Sequence, residues 1–132
     1  DNFKHINDTF GHDAGDAALA IVAARIKDII RGEAVFARQG GDEFSIYVAS
    51  LHARDVQGVA DRLCSAISLQ KFSHNGQVFP ASISLGWYWT KQDLSLQDMI
   101  SLADEQLLLA KRAGKNRARV AFDQDCNASI VA

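Results

Sequence analysis

Proline is nearly absent: the 132-residue chain has one, Pro80. That excludes a proline-rich linker, and the nine glycines read as specific turns inside a folded unit. Cysteine is scarce as well. Two residues, Cys64 and Cys126, are too few for a disulfide scaffold. Cys64 lies in a helix-like stretch and Cys126 in a polar tail, so both read as free thiols of a reducing compartment. No apolar run approaches the ~18 residues that a membrane span needs. No basic-plus-apolar signal peptide is visible either. Neither charge sign dominates: 14 basic residues face 16 acidic ones, for a net charge of -2. A nucleic-acid partner is therefore not expected for the protein as a whole. His5, His12, His52 and His74 lack metal-ligand spacing. Asp123, Asp125 and Asn127 begin like a calcium loop, but Ala128 stands where that loop requires glycine.

What is present is globular. The chain is 48% hydrophobic and 23% charged, and its length suits one domain with a real core. Asp1 to Gly15 reads as a polar loop anchored by Phe3, Ile6 and Phe10. Asp16 to Arg31 reads as a helix, with Leu19, Val22, Ala23, Ile26, Ile29 and Ile30 at helical spacing and Asp16 as its N-cap. Ala34–Arg38 and Glu43–Ala49 read as strands, and Gly40-Gly41 between them predicts a two-residue hairpin turn with positive φ angles. Arg54–Leu69 is a second helix. Asn75-Gly76 is a turn before a strand-like run, Gln77–Trp89. Leu96–Ala113 is a third helix closed by Gly114, and Arg117–Phe122 is a last strand. The pattern is α+β, a largely antiparallel sheet flanked by helices. A further strand is expected before Phe3, so the chain reads as part of something longer.

Three segments carry candidate chemistry. Asp42 and Glu43 adjoin the glycine pair Gly40 and Gly41, where a bulky ligand could approach the backbone. The plainer reading is a solvated hairpin tip bearing two surface acids. Asn7 and Asp16 offer an amide and a carboxylate, which suit the donors and acceptor on a guanine edge. The plainer reading has Asn7 shaping a turn and Asp16 capping a helix. Lys111 and Lys115 are four apart and could clamp phosphates as point charges. Alternatively, they simply complement the helix dipole.

Several motifs occur in order: Phe-Lys-x-Ile-Asn-Asp at 3–8, Gly-His-x-x-Gly-Asp at 11–16 and Arg-x-Gly-Gly-Asp-Glu-Phe at 38–44. Ser-Ile-Ser-Leu-Gly at 82–86 and Ala-Asp through Asn116 at 103–116 follow. Together they resemble the GGDEF domain family of diguanylate cyclases, over nearly the whole of residues 1–122. The resemblance implies a palm-like fold, as in nucleotide cyclases and polymerases, with residues 123–132 as a tail. It implies a bacterial signalling enzyme that condenses two GTP into cyclic di-GMP with release of pyrophosphate, using Mg²⁺ or Mn²⁺. By the same resemblance Asn7 and Asp16 would read guanine, while Lys4, Lys111 and Lys115 would hold phosphates. Asp42 would ligate the metal, and Asp42, Glu43 and Lys4 would form the catalytic set. A second GGDEF domain would complete a homodimer. Sensory or phosphodiesterase domains are expected in the parent chain. The domain itself is expected to be cytoplasmic, without membrane contact, leaving room for a membrane anchor elsewhere in the parent.

The chain departs from the family pattern in places. Asp1 matches the second Asp of the family's Asp-x-Asp-x-Phe motif, so the first, a metal ligand, lies outside the chain. On that ground the chain as given is expected to be weakly active or inactive. Lys115 stands where arginine is commoner, and Leu108 replaces a frequent tyrosine. At the family's inhibitory product site only Arg31 remains of Arg-x-x-Asp, because Ala34 replaces the carboxylate. That site is expected to be degenerate. Two readings from other classes stand beside the enzyme. One is a GTP-binding module that has lost catalysis and regulates an attached phosphodiesterase domain. The other is a pure dimerisation module without GTP affinity.

Overall fold

In the computed structural model, residues 1–30, 34–49 and 51–123 are described. Arg31, Gly32 and Glu33, and the tail from residue 124 with Asp125, Cys126, Asn127 and Ala128, lie outside the described residues.

The stretch read as a loop is helical. Helix α1 spans Phe3–Phe10 and helix α2 spans His12–Ile29. Phe3, Ile6 and Phe10 form the apolar stripe of α1, with Ile6 buried. Gly11, at φ 95°, breaks the two helices apart and donates its N–H to the Asn7 carbonyl at 2.9 Å. Asp16 therefore does not cap a helix. It sits in the second turn of α2, whose N-cap position is Gly11.

Strand β1 (Ala34–Arg38) pairs antiparallel with β2 (Phe44–Val48), from Ala34 opposite Val48 to Arg38 opposite Phe44. The turn between them is wider than the glycine pair predicts. Gln39 N–H donates to the Glu43 carbonyl at 2.9 Å, which leaves Gly40, Gly41 and Asp42 as the loop. Neither Gly40 nor Gly41 adopts a positive φ. Instead the Arg38 guanidinium holds the loop, donating to the carbonyls of Gly40 (3.1 Å) and Gly41 (2.6 Å).

Helix α3 (Ala53–Ser68) leads to a short hairpin, β3 (Phe72–His74) with β4 (Gln77–Phe79). Its turn uses Asn75 at φ 50° and Gly76 at φ 78°, the left-handed pair that suits a tight hairpin. The run Gln77–Trp89 is not one strand. Pro80, which has no N–H to give a ladder, ends β4, and β5 begins only at Leu85 (Leu85–Trp89). Helix α4 (Leu96–Arg112) then crosses over to β6 (Ala118–Phe122), which pairs with β5 in parallel. A parallel pair needs such a crossover. Among the described residues the strands form three separate two-stranded sheets; two are antiparallel and this one is parallel. Among the described residues no helix is long and apolar enough to cross a membrane.

The core gathers Ile6 of α1, Ala14, Ala18, Val22 and Ile26 of α2, Leu63 and Ile67 of α3, and Phe72 and Phe79 of the short hairpin. Phe10 stacks on Phe79 with centroids 4.8 Å apart. On the other side, α4 lies directly on β5. A Cβ at Gly86 would strike the Leu107 backbone nitrogen and the Ala103 carbonyl, so only glycine permits that approach. This contact fixes where the basic end of α4 points.

Candidate active site

The first group of site residues sits on α1 and α2. Lys4 is exposed in the first turn of α1. Asn7 lies three residues further on, and its Oδ1 is buried with no hydrogen-bond partner among the described residues. It packs against Gly15 of α2, where a Cβ would collide with that oxygen. Asp16, the next residue, is exposed. It lines an open cleft of about 290 Å³ with Leu19, Ala20, Ala23, Arg38 and Phe44. The cleft thus runs between α2 and the β1–β2 hairpin. Asp16 reaches this cleft directly, while Asn7 does not line it and stands behind, packed on Gly15 from the neighbouring helix α1.

The second group is the hairpin and the end of α4. Ser95 caps α4 by accepting the Asp98 N–H at 3.1 Å, and Lys111 and Arg112 occupy its last turn. Lys111 Nζ lies 3.7 Å from Glu43 Oε1. Lys115 Nζ donates to Asn2 Oδ1 at 3.0 Å, next to the start of α1. Asp42, Lys111 and Lys115 all lie within electrostatic reach of the Asp1 backbone nitrogen. Asp42, Glu43, Lys111 and Lys115 therefore surround one region, although the two acids and the two lysines lie far apart in sequence.

Backbone strain collects at the same place. Gly114, Lys115 and Asn116 run consecutively at φ 122°, 64° and 46°, and Asn2 opposite them is at φ 56°. Left-handed residues that carry a Cβ cost about 1–3 kcal/mol each and cluster at functional sites. The sequence alone does not mark Arg38, Asn2, Ser82 and Ser84 as site residues. The alternation Ser82-x-Ser84 was the available signal, because it puts both hydroxyls on one side of an extended segment.

Residues 1–117 match the family model described as diguanylate cyclase, GGDEF domain. The chain belongs to the GGDEF domain family. Diguanylate cyclase DosC of Escherichia coli is 35% identical over 121 residues, 91% of this chain and 26% of that protein. The active GGEEF domain of a Vibrio cholerae diguanylate cyclase superposes with a TM-score of 0.78 at 30% identity, covering 91% of this chain and 76% of that one. The GGDEF domain of DgcB from Caulobacter crescentus, solved in complex with c-di-GMP, gives a TM-score of 0.83 at 28% identity, with 91% and 72% covered. The fold is the palm-like cyclase fold. The chain spans roughly a fifth to a third of the length of the curated relatives it matches.

The GGDEF family implies a divalent metal. Such a cation takes oxygen ligands, commonly one or two carboxylates completed by substrate phosphates. In this GGDEF domain Asp42 offers an exposed carboxylate at the hairpin loop. Among the described residues no group of three or more His, Cys, Asp or Glu gathers to hold a metal. The donor set fits a cation completed by a bound nucleotide and does not fit a closed protein cage.

Proposed function

We propose that this domain condenses two molecules of GTP into cyclic di-GMP with release of two pyrophosphates. Each 3′-hydroxyl oxygen bonds to the α-phosphorus of the other nucleotide. The bond from that phosphorus to the bridging oxygen breaks, pyrophosphate departs, and the hydroxyl proton passes to base or solvent. The observation that carries the reading is the Lys111–Glu43 contact at 3.7 Å, which joins the basic end of α4 to the acidic hairpin. Names of relatives lend support, since DosC is called a diguanylate cyclase.

In this reading Asn7 and Asp16 bind the guanine edge. Lys4, Lys111 and Lys115 hold the phosphates, and Glu43 acts beside them. Asp42 would hold Mg²⁺ or Mn²⁺, which when bound neutralises charge at the α-phosphate and acidifies the attacking hydroxyl. One domain holds one GTP, so a second GGDEF domain must face it. Residues 1–122 are read as the domain and 123–132 as a tail. The test is incubation of the full-length protein with GTP and Mg²⁺, with the products separated by chromatography. Cyclic di-GMP should accumulate. GTP binding without turnover would overturn the enzyme reading in favour of a regulatory module.

A further inference from the structure

Asp1 gathers donors from two distant parts of the chain. Ser82 Oγ donates to Oδ2 at 2.8 Å and Ser84 Oγ to Oδ1 at 2.6 Å. The Asn116 backbone N–H donates to Oδ2 at 3.0 Å. An ionised carboxylate only accepts, and bonds to it are shorter and stronger than neutral ones. The bonds with Ser82 and Ser84 are part-buried, so water competes weakly for them.

The Asn116 bond falls on the strained turn. Lys115 and Asn116 hold left-handed φ angles of 64° and 46°, which persist only where the surroundings enforce them. Asp1 supplies one such restraint. The neighbouring bond from Lys115 Nζ to Asn2 Oδ1 at 3.0 Å ties the same turn to the residue after Asp1. The turn is also the exit of α4, so together with the Gly86 contact that directs the helix end it sets where Lys111 and Lys115 project.

We propose that Asp1 is a positioning residue: with Ser82 and Ser84 it pins the 114–116 turn to the start of α1 and so sets the two lysines for a nucleotide's phosphates. The serines orient the carboxylate from one side, and the carboxylate orients the turn on the other. This rests on the GTP reading given above. Asp1 acts through the turn and need not touch the nucleotide.

The experiment compares the full-length protein with Asp1→Ala, with the pair Ser82→Ala/Ser84→Ala, and with the pair Ser82→Thr/Ser84→Thr. Amide exchange at Asn116 is followed by NMR, with the Leu63, Ile67 and Phe72 amides as a check that the core stays folded. Michaelis constants for GTP are measured alongside. Losing a charge-assisted bond should speed Asn116 exchange about tenfold in Asp1→Ala and in the alanine pair. KM for GTP should rise about tenfold, with kcat changing by less than about threefold. The threonine pair, which keeps both hydroxyls, should behave as the parent does. Should Asp1→Ala not fold, the serine pairs decide the matter. Unchanged Asn116 exchange in the alanine pair, with the core amides still protected, would overturn the clamp. So would an equal loss in the threonine pair. A parent protein that neither binds nor turns over GTP would defeat the functional reading alone, and Asn116 exchange would still decide the clamp.

Discussion

Gly15 and Asn7 fit each other so closely that no side chain could stand at residue 15. A Cβ there would collide with Asn7 Oδ1 and come within 2.9 Å of Asn7 Cγ and Phe3 Cε2. The helix interior tolerates this glycine because it leaves room for the asparagine read as contacting guanine. Gly58 of α3 is the contrasting case, with open space where its Cβ would go. Gly58→Ala should stabilise the fold by about 0.5–1 kcal/mol, the ordinary helix preference for alanine. Gly15→Ala should destabilise it by about 1–3 kcal/mol through overpacking. Urea midpoints for the two variants check both signs, and equal shifts would contradict the close contact.

The Lys111–Glu43 pair is exposed on both sides. Such pairs contribute about 0–1 kcal/mol to folding. Lys111→Ala should therefore leave the urea midpoint almost unmoved. It should weaken GTP binding about ten- to hundredfold, the loss expected for one charged hydrogen bond. Titration calorimetry with a non-hydrolysable GTP analogue reads the effect directly. A large fall in stability, with binding intact, would mean the pair is structural.

Arg38 holds the hairpin loop through two carbonyls, at 3.1 and 2.6 Å from its guanidinium. A lysine carries the charge but lacks the planar fork. Arg38→Lys and Arg38→Ala should both reduce kcat/KM for GTP about tenfold, the cost of one to two lost side-chain bonds. Neither should unfold the domain, because the loop is exposed. Full activity in Arg38→Lys would show that charge alone suffices.

Burial, with a smaller push from Asp61, raises the Cys64 thiol from 9.0 to about 11. The folded state thus keeps a proton that the unfolded chain gives up. Stability from this group is complete below about pH 9 and is lost as the pH climbs through about 11. Urea unfolding at neutral pH and near the top of this window should show a decline that Cys64→Ala lessens. The native thiol should also resist iodoacetamide at neutral pH and react once urea exposes it. Rapid alkylation at Cys64 in the native protein, located by peptide mapping that separates it from Cys126, would contradict its burial.

Much of the fold was legible because long periodic segments carry strong signals. The spacing of Val56, Ala60, Leu63 and Ile67 marks α3, and Asn75-Gly76 marks the turn that the φ angles bear out. Helix α1 leaves little trace in the sequence because its stripe of Phe3, Ile6 and Phe10 is sparse and glycine follows at residues 11 and 15. Without that helix, the pattern makes Asp16 a cap instead of a residue one turn inside α2. The glycine pair misled for another reason. Arg38 takes over the work that positive φ angles would have done, and a side-chain bond of that kind leaves no periodic trace. The site motifs were readable as a set, but the ties among them were not. The bonds of Asp1 to Ser82, Ser84 and Asn116 span 81, 83 and 115 residues, and local pattern says nothing at such separations.

The most direct measurement is reaction stoichiometry, followed by phosphorus NMR on the full-length protein and on Asp42→Ala with GTP and Mg²⁺. The account predicts one cyclic di-GMP and two pyrophosphates for every two GTP consumed, and loss of that conversion in Asp42→Ala with its fold retained. Cyclic di-GMP formed equally well by Asp42→Ala, or GTP left unconsumed by the parent protein, would contradict it.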